Sequence, residues 1–464
     1  MILRRESIKP MHYSSSWDVI IVGGGIGGCS AGALLADAGE RVLLLEKGQL
    51  GGRCVCIDYN GYTLDLGGHL LRDQVIPEIY KKVGKPLNVS LPSDGMLLYE
   101  GNKWVEMREF YEKDELRKII DELISSKWEN LEVLDNVSFV DWLAERTKSE
   151  GMRKLFGTIG AADFNLINEE DIPASEELFV SKMSLVERHV LARTIYPIGG
   201  CVNIVSPLAE VIRENGGQVQ TNSRVLEVKI EDGVVLGVEV EKAKVLPNEY
   251  PETELIEASN VICTLPIWDV LEVIPEDKIP QWYADKIKRL KGHPECLFGF
   301  YAGIDIPLLG RNLWCWSEGP RTKLPGWALS PSAYDPSIAP EGRHLIACGI
   351  TIADRTDWLR DRKWLKEKFA ELEAEVEELF PDLKGHFLWK KRYVVDNFGL
   401  LHKPGYVGFH RPELQVPGVD GLYVVSDTFR SRGIGVDASA RAAISVVERI
   451  LGKKFPEFMS FFHY

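Results

Sequence analysis

The sequence predicts an α/β fold, and three observations predict it. Residues 18–22, DVIIV, form a continuous apolar run of buried-strand type. A glycine-rich turn from Gly23 to Gly28 follows and opens a helical pattern, CSAGALLADAG, that ends near Gly39. A second buried strand, RVLLLE, then ends on the acid Glu46. Strand, turn, helix and strand in that order begin a Rossmann-like, doubly wound unit.

Each part of this unit has a physical task. Gly23, Gly25 and Gly28 satisfy G-x-G-x-x-G. Gly23 permits the tight turn, Gly25 lets a pyrophosphate come close to the backbone, and Gly28 lets the helix pack against the strand. The helix start offers free N–H groups and the positive end of its dipole to phosphate. The Glu46 carboxylate, at the tip of the second strand, can accept hydrogen bonds from ribose hydroxyls. With all parts in order, the segment reads as a dinucleotide site.

The segment 47–71, KGQLGGRCVCIDYNGYTLDLGGHLL, narrows the choice of dinucleotide. Gly51, Gly52 and Arg53 form a G-G-R element. A hairpin with its turn at Asn60-Gly61 follows, then a second glycine pair, Gly67-Gly68, and His69. Here the sequence resembles the FAD-dependent amine oxidase, protoporphyrinogen oxidase and phytoene desaturase superfamily, and is most similar to its carotenoid desaturase-like oxidoreductases. The resemblance implies FAD as cofactor. It places Ile26, Gly27 and Lys47 with the first loop and strand end, and Gly52 and Arg53 against the phosphates. Gly67, Gly68, His69 and Leu70 would lie along the ribityl chain and flavin ring.

Two later segments fit the same family. Residues 196–240 read as a turn, an amphipathic helix and a hairpin, with a backbone pair near Val225 implied to hold adenine. The strand NVICTLP, 260–266, returns toward the cofactor. Near the C-terminus, GLYVVSDTFRSRGIGVDASARAAISVVERIL, 421–451, has Asp427 at the position implied to bind a ribityl hydroxyl. Ser426 stands where the family usually has Gly. Gly433, Gly435, Val436 and Asp437 would form the turn into a long helix aimed at the flavin pyrimidine, its dipole favouring negative charge there. Asp437 itself reads as the N-cap of that helix. A carboxylate turned toward the flavin would instead disfavour the anionic reduced form.

The implied architecture is a discontinuous FAD-binding domain of glutathione-reductase type with an inserted α+β substrate domain. Residues 1–79, 191–268 and 411–464 would form the FAD domain, 80–190 a largely helical part, and 269–410 a sheet-and-helix part. Within the last, ECLFGFYAGI and HLIACGIT read as strands, and RKWLKEKFAELEAEVEELF as a helix stopped by Pro381. No second G-x-G-x-x-G follows a strand, so a separate nicotinamide domain is not expected. Electrons would pass between flavin and an organic substrate, with oxygen, a quinone or another carrier as the other partner.

Composition excludes other classes. A net charge of −14 argues against a broad nucleic-acid surface. The eight cysteines show no C-x-x-C pair and read as buried free thiols in a reducing cytoplasm. The histidines show no metal spacing. The N-terminal residues lack the pattern of a signal peptide. The tail KKFPEFMSFFHY, rich in Phe beside Lys453 and Lys454, could dip into a membrane interface or pack on its own domain.

No catalytic residue is identifiable from motif. Aromatic residues cluster instead: Phe298, Phe300 and Tyr301 on one expected strand, Trp314 and Trp316 two apart on another, then Trp327. They read as an apolar tunnel or as ordinary sheet core. Tyr301, Trp314, Trp316 and Tyr196 are the candidate pocket residues. Arg188, His189 and Arg193 precede the Gly199-Gly200 turn and could meet a polar group or pair at the surface. His402 and His410 could face the flavin or be structural. The leading expectation is hydride transfer between flavin N5 and an isoprenoid- or carotenoid-type substrate, in desaturation, isomerisation or saturation. The alternatives are an amine oxidase or protoporphyrinogen oxidase-like enzyme, and a prenyl-binding protein of the GDP-dissociation-inhibitor type, which needs no FAD.

Overall fold

The first apolar run forms the centre of a seven-stranded sheet. The computed structural model describes residues 17–68, 70–90, 95–188, 194–241 and 252–461. In it, Trp17–Val22 lies parallel between Val42–Leu45 and the second half of Thr253–Cys263, with Ile21 opposite both Leu44 and Ile262. Gln218–Gln220 extends one edge. Leu422–Val424 runs parallel to the end of Thr253–Cys263, whose first half pairs antiparallel with the hairpin Val225–Glu231/Val234–Glu241. Three separated stretches of chain therefore supply one sheet.

The pleat divides its two faces. Val19, Ile21, Val42 and Leu44 pack under the helices Ile26–Asp37, Ser206–Glu214 and Gly435–Leu451. Ile20, Val22, Leu43 and Leu45 pack on the opposite side against the hairpin and the helix Gln281–Leu290. The Asn60-Gly61 turn forms as read: both residues have positive φ, 55° and 78°, and join Cys56–Tyr59 to Tyr62–Asp65.

A second seven-stranded sheet has the order Phe387–Val395, Leu297–Ile304, His344–Thr351, Gly326–Leu329, Asn312–Trp316, Gly95–Glu100, Lys103–Glu106. Its outer face packs on the helix Arg362–Leu379, which ends just before Pro381. The last two strands come from a stretch whose sequence reads as largely helical. They form because GMLLYEGNKWVE folds about Gly101-Asn102, both with positive φ, and Gly95–Glu100 adds parallel to Asn312–Trp316. The helices Lys113–Ser125, Phe139–Ala144, Glu150–Asp163 and Ala174–Arg188 complete this half. A buried ion network ties it to the turn before the last helix: Arg432 contacts Asp135 at 2.5 Å and Glu176 at 2.7 Å, and Gly433 N–H donates to Glu176 at 2.7 Å. Among the described residues no helix is long and apolar enough to cross a membrane.

Candidate functional site

Three glycine turns converge, and the space in front of each glycine separates their jobs. A Cβ on Gly28 would sit 2.1 Å from Gly23 O, and one on Gly23 would meet Thr264 Oγ1 at 2.4 Å. Gly28 thus lets the helix pack on the strand end, and Gly23 lets that strand end pack on the residue after Thr253–Cys263. A Cβ on Gly25 would meet only Gly52 Cα, at 3.9 Å; one on Gly68 only Leu71, at 3.8 Å; one on Gly435 nothing within 4 Å. These three present open backbone at the cradle where the turns meet. Gly67 differs from its neighbour. Its Cβ would lie 1.8 Å from Arg53 O, so it is glycine because the G-G-R element packs on it.

Gly24 and Gly51 are joined by a 3.0 Å backbone bond. Gly27 and Ile26 are buried in the first turn of the helix, and Lys47 is exposed beside it. Glu46 accepts from Gly24 N and Gly48 N, both at 2.7 Å, one on each oxygen, leaving further lone pairs on each. Its backbone carbonyl accepts from Ser223 N, which brings the strand start at Val225 alongside.

Arg53 and Asp427, 374 residues apart, meet as a two-pronged ion pair, with Arg53 Nη1 at 2.8 Å from Asp427 Oδ2 and the second prong on Oδ1. The arginine side chain is 39% exposed and the aspartate 2%. Arg53 also donates to Phe398 O at 2.5 Å. Burial pushes the Asp427 carboxyl up, but the Arg53 guanidinium and the Ser426 hydroxyl together hold it below its usual range. Ser426, in place of the family's Gly, thus has a partner in Asp427, at 3.0 Å. Buried Arg411 supports the same strand end by donating to Asp427 O and Leu400 O. Nothing in the local sequence marks it.

Two readings of the sequence need correction. Asp437 does not cap the last helix, whose N-cap is Ile434 without a side-chain bond. Its carboxylate accepts from Val75 N at 2.9 Å and so caps the helix Val75–Lys82. Burial pushes it up to about 6, against the pull of Arg441. Trp314 and Trp316 do not join Tyr301. The pleat turns both to the outer face: Trp314 packs on Trp104 and Phe380, and Trp316 joins the core under the helix Arg362–Leu379.

The inner face instead carries Tyr301, Trp327, Trp389 and Tyr393, with Tyr62 and Tyr196 beneath. Gly299, Gly303 and Gly349 are glycine here because rings of Tyr393, Trp389 and Trp327 lie over them, each within 2.6 Å of where a Cβ would stand. Tyr196 and Tyr301 both end on Asp65, a residue the sequence does not single out. Tyr196 Oη donates to Oδ2 at 2.7 Å, Cys201 N to Oδ1 at 2.7 Å, and Tyr301 Oη to the backbone oxygen. Asp65→Ala leaves the first two donors unmatched in the core and should cost about 2–5 kcal/mol, read as a lower urea midpoint; Asp65→Asn, which keeps acceptor oxygen, should cost less.

The remaining candidates resolve as follows. His402 is buried, its Nδ1 2.6 Å from Glu295, and Asn165 donates to the same carboxylate at 3.3 Å. His410 stacks on Phe409 near the surface, and burial lowers its basicity. Leu70 is half-buried beside the second glycine pair. In the tail, Phe455 and Phe458 are buried against the helix Val75–Lys82, so these two rings are not offered to a membrane. All eight cysteines are free. His69, His189, Arg193 and the last three residues lie outside the described residues, as does the side chain of Arg188.

Comparison with known proteins gives the family and the fold. The family described as flavin containing amine oxidoreductase matches residues 26–451. A chloroplastic prolycopene isomerase of Daucus carota is 24% identical over 97% of this chain and 82% of its own length. A carotenoid 3,4-desaturase of Haloarcula japonica is 25% identical over 91% of this chain and 95% of its own. Among solved structures, an oxidoreductase from Methanosarcina mazei superposes with a TM-score of 0.73 at 20% identity, covering 93% of this chain and all of its own.

Proposed function

The chain belongs to the flavin containing amine oxidoreductase family, and from that premise we propose that it is an FAD-dependent oxidoreductase whose substrate is an apolar isoprenoid or carotenoid-type molecule. When bound, the flavin supplies two-electron chemistry at N5. The observation that carries the substrate class is the inner face of the second sheet. It is a layer of Tyr301, Trp327, Trp389 and Tyr393, three of whose rings lie over strand glycines. The rings pack as a water-excluding layer, and a ligand brought against it would meet aromatic and apolar atoms. The near full-length similarity to a carotenoid desaturase and a prolycopene isomerase supports the same class.

The roles of the residues follow from the cradle. Open backbone at Gly25, with the free N–H groups of the helix start at Ile26, Gly27 and Gly28, receives the diphosphate. Glu46 holds the adenosine ribose, Val225 and its neighbours the adenine, and Arg53 with Gly52 the phosphates. Gly68 and Asp427 hold the ribityl chain. The N-terminus of the last helix, at Gly435 and Val436, faces the flavin pyrimidine, where its dipole stabilises negative charge. Oxygen, a quinone or another carrier completes the redox cycle.

The purified protein is expected to be yellow. Under anaerobic conditions a carotenoid or prenyl polyene should change its flavin absorbance, and mass spectrometry of the co-purified lipid should return a molecule of that kind. Peroxide release with simple amines, together with no response to polyenes, would move the assignment to amine oxidation.

A further inference from the structure

A second buried carboxylate stands beside Asp427 in the cradle. Glu295 lies just before the strand Leu297–Ile304. Its backbone pairs with the stretch that Arg53 grips. Glu295 N donates to Gly399 O at 2.7 Å, Phe398 N donates to Glu295 O at 2.9 Å, and Phe398 O accepts from Arg53. The side chain reaches the same place. A Cβ on Gly399 would stand 2.7 Å from Glu295 Oε2 and 3.7 Å from Asp427 Oδ2, so the two carboxylates face one point. Glu295 Oε1 is 2.6 Å from His402 Nδ1, and Oε2 accepts from Asn165 Nδ2 at 3.3 Å. His402 is 2% exposed, its ring beside Phe164, and its Nε2 is buried with no hydrogen-bond partner. With Nδ1–H donated to the carboxylate, Nε2 of the neutral ring carries a free lone pair.

The other polar groups around this pair are engaged. Arg411 donates to Tyr406 O, Asp427 O and Leu400 O, one from each nitrogen. Arg53 and Ser426 hold the Asp427 carboxylate, and Asp427 N donates to Ser439 Oγ. Glu176, which also faces Arg411, is held by Arg432. Asp354 and Asp396 lie toward Cys296, and Asp354 pairs with His293 at 2.7 Å. A proton placed on Asp427 or Glu295 would weaken a charge-assisted bond that the carboxylate already makes. Among these groups, His402 Nε2 is where a proton can be added without breaking a hydrogen bond.

We infer that His402 takes up a proton at Nε2 when the flavin is reduced, and that Glu295 holds the imidazolium so formed. This rests on the proposed function for the place of the flavin beside Asp427, and adds the fate of a proton to it. Reduction brings negative charge into a site that already holds Asp427 and Glu295. A further buried like charge is costly unless a cation or a proton meets it. When two C–H bonds of a substrate break and one C=C bond forms, two electrons and two protons are given up. Two electrons and one proton go to the flavin, and one proton goes to His402. Reoxidation returns both protons with the two electrons to the acceptor or to solvent. Neutral His402 beside ionised Glu295 thus becomes an internal ion pair and loses its net charge. Both are positioning residues, acting on the flavin through charge.

The midpoint potential of the FAD-loaded protein, followed against pH at an electrode, counts the protons taken up and needs no substrate. The wild type should take up about two protons per two electrons between about pH 6 and pH 7. The absorbance of its reduced flavin should stay that of the anionic form, which the last helix favours. His402→Gln keeps a donor for Glu295 but no group that titrates, and should take up about one. Glu295→Gln should do the same, because the imidazolium loses its counter-charge. Nitrogen-15 spectra of labelled histidine read the site itself. One imidazole should gain its Nε2 proton on reduction, and that signal should be missing from His402→Gln. About one proton in the wild type, about two in His402→Gln, or histidine signals that ignore reduction would each overturn the inference. The wild-type count and spectra decide it even where a variant does not fold. A wild type inert toward every polyene counts against the proposed substrate class alone.

Discussion

Gly25→Ala will give a folded, colourless protein, whereas Gly28→Ala will give little folded protein at all. The two glycines stand three residues apart, Gly25 just before the helix and Gly28 in its first turn, and differ in what lies before them. Gly25 has φ −80°, which alanine adopts without strain, and its Cβ would meet one atom, Gly52 Cα at 3.9 Å. Stability without cofactor should therefore change by less than about 1 kcal/mol. The added methyl would, however, occupy the open ground where the diphosphate meets the helix start, and FAD affinity should fall about 100-fold or more, about 2.7 kcal/mol. At Gly28 the new carbon would stand 2.1 Å from Gly23 O and 3.2 Å from Ile21. Neither backbone can retreat, because the strand end and helix start are fixed on both sides, and the cost should exceed about 4 kcal/mol. The ratio of flavin to protein absorbance and a thermal melt of each variant measure both effects. A Gly25→Ala protein that purifies with a full complement of FAD would remove the assignment of that loop to the diphosphate.

What the sequence made legible is what short-range pattern determines. The strand–turn–helix at 17–37, the Asn60-Gly61 hairpin and the helix stopped by Pro381 each carry their own punctuation, and each forms where it was read. Direction on a sheet is weaker information. Trp314 and Trp316 share a face, as their spacing requires, but which face is set by whether Cys315 or its neighbours meet the helix Arg362–Leu379, a contact with residues some 50 positions later. Asp437 shows the same limit for caps. An acid at a helix start serves that helix only if no other orphan N–H comes closer, and here Val75 N does. Asp65 and Arg411 are silent in sequence because their importance lies in how many distant donors or carbonyls converge on them. Gly67 and Gly68 look alike as letters. One is needed for packing on Arg53 and the other leaves its backbone open, a difference visible only in three dimensions.

Arg53→Ala and Asp427→Ala will both release the flavin, yet they will differ in what they do to the protein without it. The aspartate is 2% exposed and the arginine 39%. Removing Asp427 leaves a guanidinium that can turn to water and still reach Phe398 O, 2.5 Å away, so the loss should be within about 1 kcal/mol. Removing Arg53 leaves a carboxylate buried with the Ser426 hydroxyl and a more distant Arg411, and should cost about 3 kcal/mol. The double variant should recover most of that loss, since the stranded charge is gone. The sign of the pH dependence separates the cases. In the wild type the Asp427 carboxyl lies below its usual range, so the pair stabilises at neutral pH and weakens only as pH falls through that low value. Without Arg53, burial outweighs the Ser426 hydroxyl and the more distant Arg411, and the carboxyl rises. Its deficit is then greatest at high pH and shrinks on acidification toward pH 5, while Asp427→Ala shows no such trend. Urea midpoints of the four proteins between pH 5 and pH 8 measure this. If Arg53→Ala lost no more stability than Asp427→Ala at pH 8, the ion pair would not be what holds the end of strand Leu422–Val424 against the G-G-R element.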